Sequence, residues 1–392
     1  MKLKIQLIIL ATLSICFWSC EDKISDPERG NIISTTPIFT YQAGDIETYL
    51  AISGMDIQLG DIHGVEAVKI VYETIDLHNN RTTASGAFFL PLEVIDPPLL
   101  SLQHGTETKR SQVASVNPFN SVEGRLGLIL SAMGYCTAVP DYLGLGESDL
   151  FHPYLHAKST ATSVIDFLRA IRNYCDKNDI GLNEQLFLTG YSEGGYATLA
   201  VHREIEKFHT DEFQLTAVAP MAGPYNLAGT VDTIFTSLAY TNSIYPAFIL
   251  TAYNQIYGWD RLDDFFQPAY ATILPGLFDG SKSYSEIGNQ LPSLLTDLLN
   301  PIFVTDYLNG NETIVRATLE ENTLLDWSPT VPLRFFHGDA DEVVPYYNAV
   351  AVVQSLSANS STTVELITIE NGTHETAGEA AIIGMIEWFA GF

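Results

Sequence analysis

Gly190-Tyr191-Ser192-Glu193-Gly194-Gly195 sets one hydroxyl between glycines, the residue pattern of a nucleophile presented on a sharp turn. A serine hydroxyl attacks a carbonyl carbon only when a neighbouring base takes its proton. His374, in Asn371-Gly372-Thr373-His374-Glu375, is the candidate base. Asp341, in His337-Gly338-Asp339-Ala340-Asp341-Glu342-Val343-Val344-Pro345, is the candidate for fixing the imidazole tautomer and stabilising its cation. Asp339 and Glu342 carry the same charge, and position within the motif favours Asp341. The other histidines have ordinary readings: His63 and His78 in polar turns, His152 and His156 in a loop, His202 and His209 on or just beyond a helix surface, and His337 shaping the turn after its strand.

Such chemistry also needs backbone donors where the carbonyl oxygen becomes negative. The N–H of Glu193, at a helix N-terminus beside the nucleophile, is one candidate. The loop Gln103-His104-Gly105-Thr106-Glu107 offers the second, Thr106, because a His-Gly turn lets the following amide face the serine; a tight turn with no further role is the alternative. No Cys-x-x-Cys spacing or histidine-rich cluster argues for a metal, and no dinucleotide fingerprint or P-loop argues for a cofactor.

These residues are useful only if strands and helices bring them to one place. Ala67 to Ile75 and Thr82 to Leu90, rich in Val, Ile, Thr and Phe around His78-Asn79-Asn80, predict a hairpin. Leu99 to Gln103, Tyr135 to Val139, Gln185 to Leu188 and Leu215 to Met221 predict short buried strands. Apolar residues at helical spacing lie between Ala161 and Cys175 and at Ala197, Val201, Ile205 and Phe208. Leu333 to Phe336, Thr363 to Ile369 and an apolar helix from Glu379 to Phe389 close the chain. This alternation implies an α/β fold with a mostly parallel sheet covered on both faces. Residues 225 to 327 do not keep to it. They hold 16 aromatics, are broken by Pro246, Pro268, Pro275 and Pro301, and predict an inserted, mainly helical cap.

Acidic residues outnumber basic ones 47 to 19, for a formal charge of -28, which opposes sustained contact with nucleic acid. Met1-Lys2-Leu3-Lys4 followed by an apolar stretch to Trp18 predicts an export signal over residues 1–19. Ser19-Cys20 resembles a bacterial lipoprotein signal, with Phe17 and Trp18 bulkier than the residues usual there. Export, with anchoring to a membrane by lipid on Cys20, is the expectation, and residues 20–45 then read as a polar tether. Cys136 and Cys175 would be the cysteines left besides Cys20, either bonded to each other or as two buried thiols.

On His104-Gly105-Thr106, Pro140-Asp141-Tyr142-Leu143-Gly144-Leu145-Gly146, Gly190 to Gly195, His337 to Pro345 and His374, residues 65 to 390 resemble the α/β-hydrolase superfamily. More narrowly, the chain is similar to bacterial secretory lipase-like and lipoprotein serine esterases. The resemblance implies an α/β-hydrolase core over residues 46–224 and 328–392, with the cap over 225–327 between them. It also implies cleavage of carboxylic esters through an acyl-enzyme on Ser192. In the cap only Arg261, Lys282 and Arg316 are basic against twelve acidic residues, so a neutral substrate, apolar on its acyl side, fits best. A prolyl-type serine peptidase, acyl transfer to another alcohol and a non-catalytic binding protein on the same fold are the competing readings.

Overall fold

A computed structural model describes residues 29–53, 62–237 and 240–392. The export signal over residues 1–19 and Cys20 lie outside the described residues. Within them, nine strands form one sheet: β1 (Ile32–Tyr41), β2 (Val65–Ile75), β3 (Arg81–Pro91), β4 (Leu99–Gln103), β5 (Cys136–Pro140), β6 (Leu186–Tyr191), β7 (Ala217–Met221), β8 (Leu333–Gly338) and β9 (Val364–Ile369). Their order is β1-β2-β3-β5-β4-β6-β7-β8-β9. The first three strands are antiparallel, β3 joins β5 antiparallel, and every pairing from β5 to β9 is parallel.

Local chemistry explains the hairpin. Asp76 Oδ1 accepts from the amides of His78 and Asn80, both at 2.8 Å, and Asn79 adopts φ 61°, so the polar residues between β2 and β3 make a tight turn. β4, β5 and β7 are buried along their whole length, as expected of parallel strands covered on both faces.

Helices α1 (Ala43–Ser53), α2 (Val122–Ala132), α3 (Ala157–Lys177) and α4 (Glu193–Phe208) accompany these strands. Two apolar clusters follow. One gathers α3, α4 and the cap; the other gathers α1, α2 and the C-terminal helix Ala377–Phe389. Each parallel strand ends on the same edge, and the loops leaving β4, β6, β8 and β9 carry Thr106, Ser192, Asp341 and His374 in turn. That edge is where open α/β sheets bind ligands.

Between β7 and β8 the chain forms α5 (Leu227–Ser237), α6 (Ile244–Tyr257) and, among the described residues, seven shorter helices ending with Thr313–Glu321. Much of the cap's aromatic content packs on itself: Phe235 against Tyr307 at 5.1 Å between ring centroids, and Phe265 against Phe303 at 4.7 Å.

Two expectations are corrected. The tether over residues 20–45 does not hold for its described part, because Ile32–Tyr41 pairs with β2 as an edge strand and Ala43 begins α1. The strand is held by Phe39, which packs on Phe89 and Phe119 at 6.1 and 5.1 Å, and the register shifts beside Pro37, whose missing N–H an edge strand tolerates. His202 is fully buried rather than on a helix surface, its ring against Trp327 and Nε2 2.9 Å from Glu206. α2 (Val122–Ala132) is an element that the sequence pattern above did not single out.

Cys136 and Cys175 are free and buried, and burial pushes the Cys175 thiol up to about 12. Among the described residues no helix is long and apolar enough to cross a membrane.

Candidate active site

Ser192 sits between the end of β6 and the first residue of α4, with φ 60° and ψ -122°. A non-glycine residue there is strained by about 1–3 kcal/mol and persists because its surroundings fix it. The Ser192 amide donates to the Met221 carbonyl at 2.9 Å. The flanking glycines are needed for space. A Cβ on Gly190 would lie 2.5 Å from the Gln103 carbonyl oxygen, one on Gly194 2.2 Å from that same oxygen, and one on Gly195 2.2 Å from the Met221 oxygen. Side chains at these positions would push β4 and β7 away from the turn.

The turn delivers Ser192 Oγ to 2.9 Å from His374 Nε2, and His374 Nδ1 lies 2.7 Å from Asp341 Oδ2. The Tyr191 hydroxyl donates to the His374 carbonyl at 2.8 Å, pinning the loop after β9 to the strand that carries the serine. Asp341 is held as firmly: its Oδ1 accepts from the amides of Val343 at 2.9 Å and Val344 at 2.8 Å, and His337 Nε2 lies 3.2 Å from Oδ2. Burial works to raise the Asp341 carboxyl, but hydrogen bonds and charge from His337 and His374 outweigh it and hold the group at about 2. The competing acids go elsewhere. Asp339 accepts from the Asn371 amide at 2.6 Å, and Glu342 reaches only the His374 backbone amide, at 3.4 Å.

Glu193 begins α4, and a Cβ on Gly105 would stand 4.0 Å from the Ser192 Cβ, so the loop after β4 packs against the nucleophile. Among the described residues neither the Glu193 amide nor the Thr106 amide donates to a protein acceptor. The Gly105 amide is anchored on Glu123 Oε1 at 2.9 Å, and the Thr106 hydroxyl meets the Tyr154 hydroxyl at 3.0 Å. Beneath them His152 Nε2 lies 3.0 Å from Glu193 Oε1, with both side chains buried. Burial pushes the Glu107 carboxyl up to about 7, against the pull of His104 and helped by Glu123 and Glu193.

Ser192 opens into a cleft between the core and the cap. Its walls are largely apolar and come from core and cap together, among them Tyr154, Val231, Phe235, Tyr240, Ile249 and Leu319. The Tyr240 hydroxyl donates to the Val343 carbonyl at 3.1 Å, joining the cap to the loop that holds Asp341. The Thr108 hydroxyl donates to the Lys282 carbonyl at 2.9 Å, joining the cap to the loop after β4.

The structure therefore joins Ser192, His374 and Asp341 in one hydrogen-bonded line, with Glu193 next in the chain to the serine and the turn before Thr106 packed beside it at Gly105. It adds Tyr154, Glu123 and His152, which carry no local signal, since His152 reaches Glu193 only through the fold, from 41 positions away.

Residues 125–286 match the model of the prolyl oligopeptidase family, a stretch that includes Ser192 and stops short of Asp341 and His374. No curated protein matches the chain in sequence. Among solved structures, a rice cell wall degrading esterase, LipA, from Xanthomonas oryzae is similar, with 28% identity and a TM-score of 0.82 over 91% of this chain and 95% of that one. A protein of Legionella pneumophila provisionally described as a hydrolase has 26% identity and a TM-score of 0.84 over 92% and 97%. Candida antarctica lipase A in its closed state, at 16% identity, shares the fold, with a TM-score of 0.67 over 91% and 80%. The mostly parallel nine-stranded sheet and these neighbours agree that the chain is a hydrolase belonging to the α/β-hydrolase superfamily.

Proposed function

We propose that the chain is a serine esterase that cleaves neutral carboxylic esters through an acyl-enzyme on Ser192. The observation that carries this reading is the unbroken hydrogen-bonded line from Ser192 through His374 to Asp341 at the mouth of an apolar cleft. Ser192 Oγ attacks the ester carbonyl carbon while His374 Nε2 takes its proton, and Asp341 stabilises the imidazolium. The oxyanion so formed accepts from the amides of Glu193 and Thr106. Collapse of the tetrahedral intermediate expels the alcohol oxygen, which receives the proton from His374. Water then attacks the acyl-enzyme, with His374 again as base, and collapse frees the carboxylic acid and Ser192.

An ester rather than a peptide is favoured by the apolar walls of the cleft and by the Xanthomonas oryzae neighbour, which is an esterase. Nothing polar on those walls is needed for an acyl chain, and each methylene that leaves water is worth about 0.8 kcal/mol, or about fourfold in kcat/KM. The basic start, the apolar stretch and Ser19-Cys20 support export and anchoring to a membrane by lipid on Cys20. The prolyl oligopeptidase match supplies the second reading, cleavage of a prolyl amide.

Hydrolysis of p-nitrophenyl esters from acetate to palmitate, beside an aminoacyl-proline arylamide, separates the two. Turnover of the esters that rises with acyl length until the cleft is filled, and none of the arylamide, is expected. Turnover of the arylamide alone would replace the ester reading with the peptidase one.

A further inference from the structure

His104 stands at the head of the loop that carries Gly105 and Thr106, and it is 4% exposed. Both of its ring nitrogens face oxygens that can only accept. Nδ1 lies 2.7 Å from the Gly105 carbonyl and Nε2 lies 3.0 Å from the Asp141 carbonyl. A neutral imidazole has one N–H, so it can satisfy one of these contacts and must aim a lone pair at the other oxygen. We propose that His104 is held as an imidazolium that donates to both carbonyls, and that in this form it is the positioning residue for the Thr106 amide at the oxyanion. The inference rests on the acyl-transfer reading given above.

A buried cation is costly unless charge and hydrogen bonds surround it. Three elements supply them. From the first turn of α4 comes Glu193, and from α2 comes Glu123, which also accepts from the Gly105 amide at 2.9 Å. From the loop after β5 comes Tyr142, whose ring stacks on the imidazole at 3.9 Å and 28° and whose hydroxyl donates to the His104 carbonyl at 3.1 Å. On its own loop His104 faces Glu107. His152, on the same loop as Tyr142, meets Glu193 from the other side, its Nε2 3.0 Å from Oε1. Burial acts to lower the His104 pKa, and the charges of Glu193 and Glu123 with the two carbonyl bonds overcome it, leaving it raised. Reciprocally, His104 works to lower the Glu107 carboxyl.

The doubly donating ring ties the loop after β4 to the loop after β5. The Asp141 end is itself fixed, because the buried Asp141 carboxylate accepts from the hydroxyls of Ser85 at 2.6 Å and Ser115 at 2.5 Å. Losing the proton breaks one of the two ties and sets a lone pair against a carbonyl oxygen. The Thr106 amide then loses its fixed place next to Ser192. Since the protonated form is the favoured one in the fold, this function is complete at low and neutral pH and is lost as pH rises through the raised pKa. His374 acts in the opposite sense, since it must be unprotonated to serve as base, so the two histidines would bound activity from opposite sides.

The test has a spectroscopic and a kinetic arm. Two-bond proton–nitrogen correlation spectra of the full chain labelled with nitrogen-15 histidine, at pH 7, should show a histidine with both ring nitrogens protonated. That signal should be missing from His104→Phe, or from His104→Asn should the first variant fail to fold. An unprotonated ring nitrogen on His104 at pH 7 would overturn the proposal whether or not any ester is cleaved. In the kinetic arm, His104→Phe should lower kcat by about 100-fold, the loss seen when an oxyanion donor is removed, with KM changed by less than about threefold. Glu123→Gln should move the alkaline limb of the kcat profile down by about one pH unit and leave the acid limb in place. An unchanged kcat in His104→Phe, or an alkaline limb that Glu123→Gln does not move, would leave His104 without the positioning role.

Discussion

Replacing Ser192 or His374 by alanine is expected to lower kcat for p-nitrophenyl butyrate by about 10⁶-fold, with the double variant no slower than either single one. The non-additivity follows from the proposed chemistry. Without the hydroxyl there is no proton for His374 to take, and without the base the hydroxyl is an ordinary alcohol. The remaining turnover would come from the Glu193 and Thr106 amides acting on water held in the cleft. Single-turnover and steady-state rates on the three variants check this. Ser192→Ala should also relieve little of the backbone strain, since the alanine would occupy the same positive-φ turn between Tyr191 and Glu193. The variant should therefore melt close to the parent and serve as a folded control. A double variant slower than both single ones would mean that the two residues act in separate steps.

The second largest effect is expected at Asp341. Asp341→Asn should lower kcat by about 10⁴-fold, because an amide nitrogen turned towards His374 Nδ1 demands an acceptor there and moves the ring proton to Nε2. The ring then meets Ser192 with a donor where an acceptor is needed. The same substitution should alter stability in acid. The Asp341 carboxyl is held at about 2 against an ordinary 3.8, so it contributes about 2 kcal/mol above pH 4, and this is lost as pH falls through about 2. Urea midpoints measured from pH 7 down to pH 2 should fall more steeply in the parent than in Asp341→Asn. Parallel curves would assign the low pKa no part in stability.

The site was legible in sequence because each of its parts is a short string at the end of a strand. The Gly-x-Ser-x-Gly run needs only its own glycines to make the turn, and their missing Cβ atoms answer to the Gln103 and Met221 carbonyls. The hairpin of β2 and β3 was legible for the same local reason, the polar turn at Asp76. What escaped depends on partners far along the chain. β1 is a strand because β2 offers it an edge, and Phe39 finds Phe119 some eighty positions away. α2 lacks a clear apolar stripe because its packing uses small residues. A Cβ on Gly127 would meet Phe89 at 2.7 Å, and one on Gly124 would meet the Pro118 carbonyl oxygen at 2.2 Å. His202 read as a surface residue since helical spacing alone does not reveal Trp327 arriving from the end of the cap. His104 was visible only as part of a turn. That its two nitrogens meet two carbonyls requires the loop after β5 to be in place.

The most direct test of the central claim is covalent. The protein is incubated with a fluorophosphonate, which a serine attacks only when its hydroxyl is activated and the phosphoryl oxygen is held by donors, and the adduct is then located by peptide mass spectrometry. One phosphonyl group on Ser192, formed in proportion to the loss of ester hydrolysis and absent from His374→Ala, is the expected result. An intact Ser192 in protein that has lost its ester hydrolysis, with the label on another residue, would contradict the assignment of Ser192 as nucleophile.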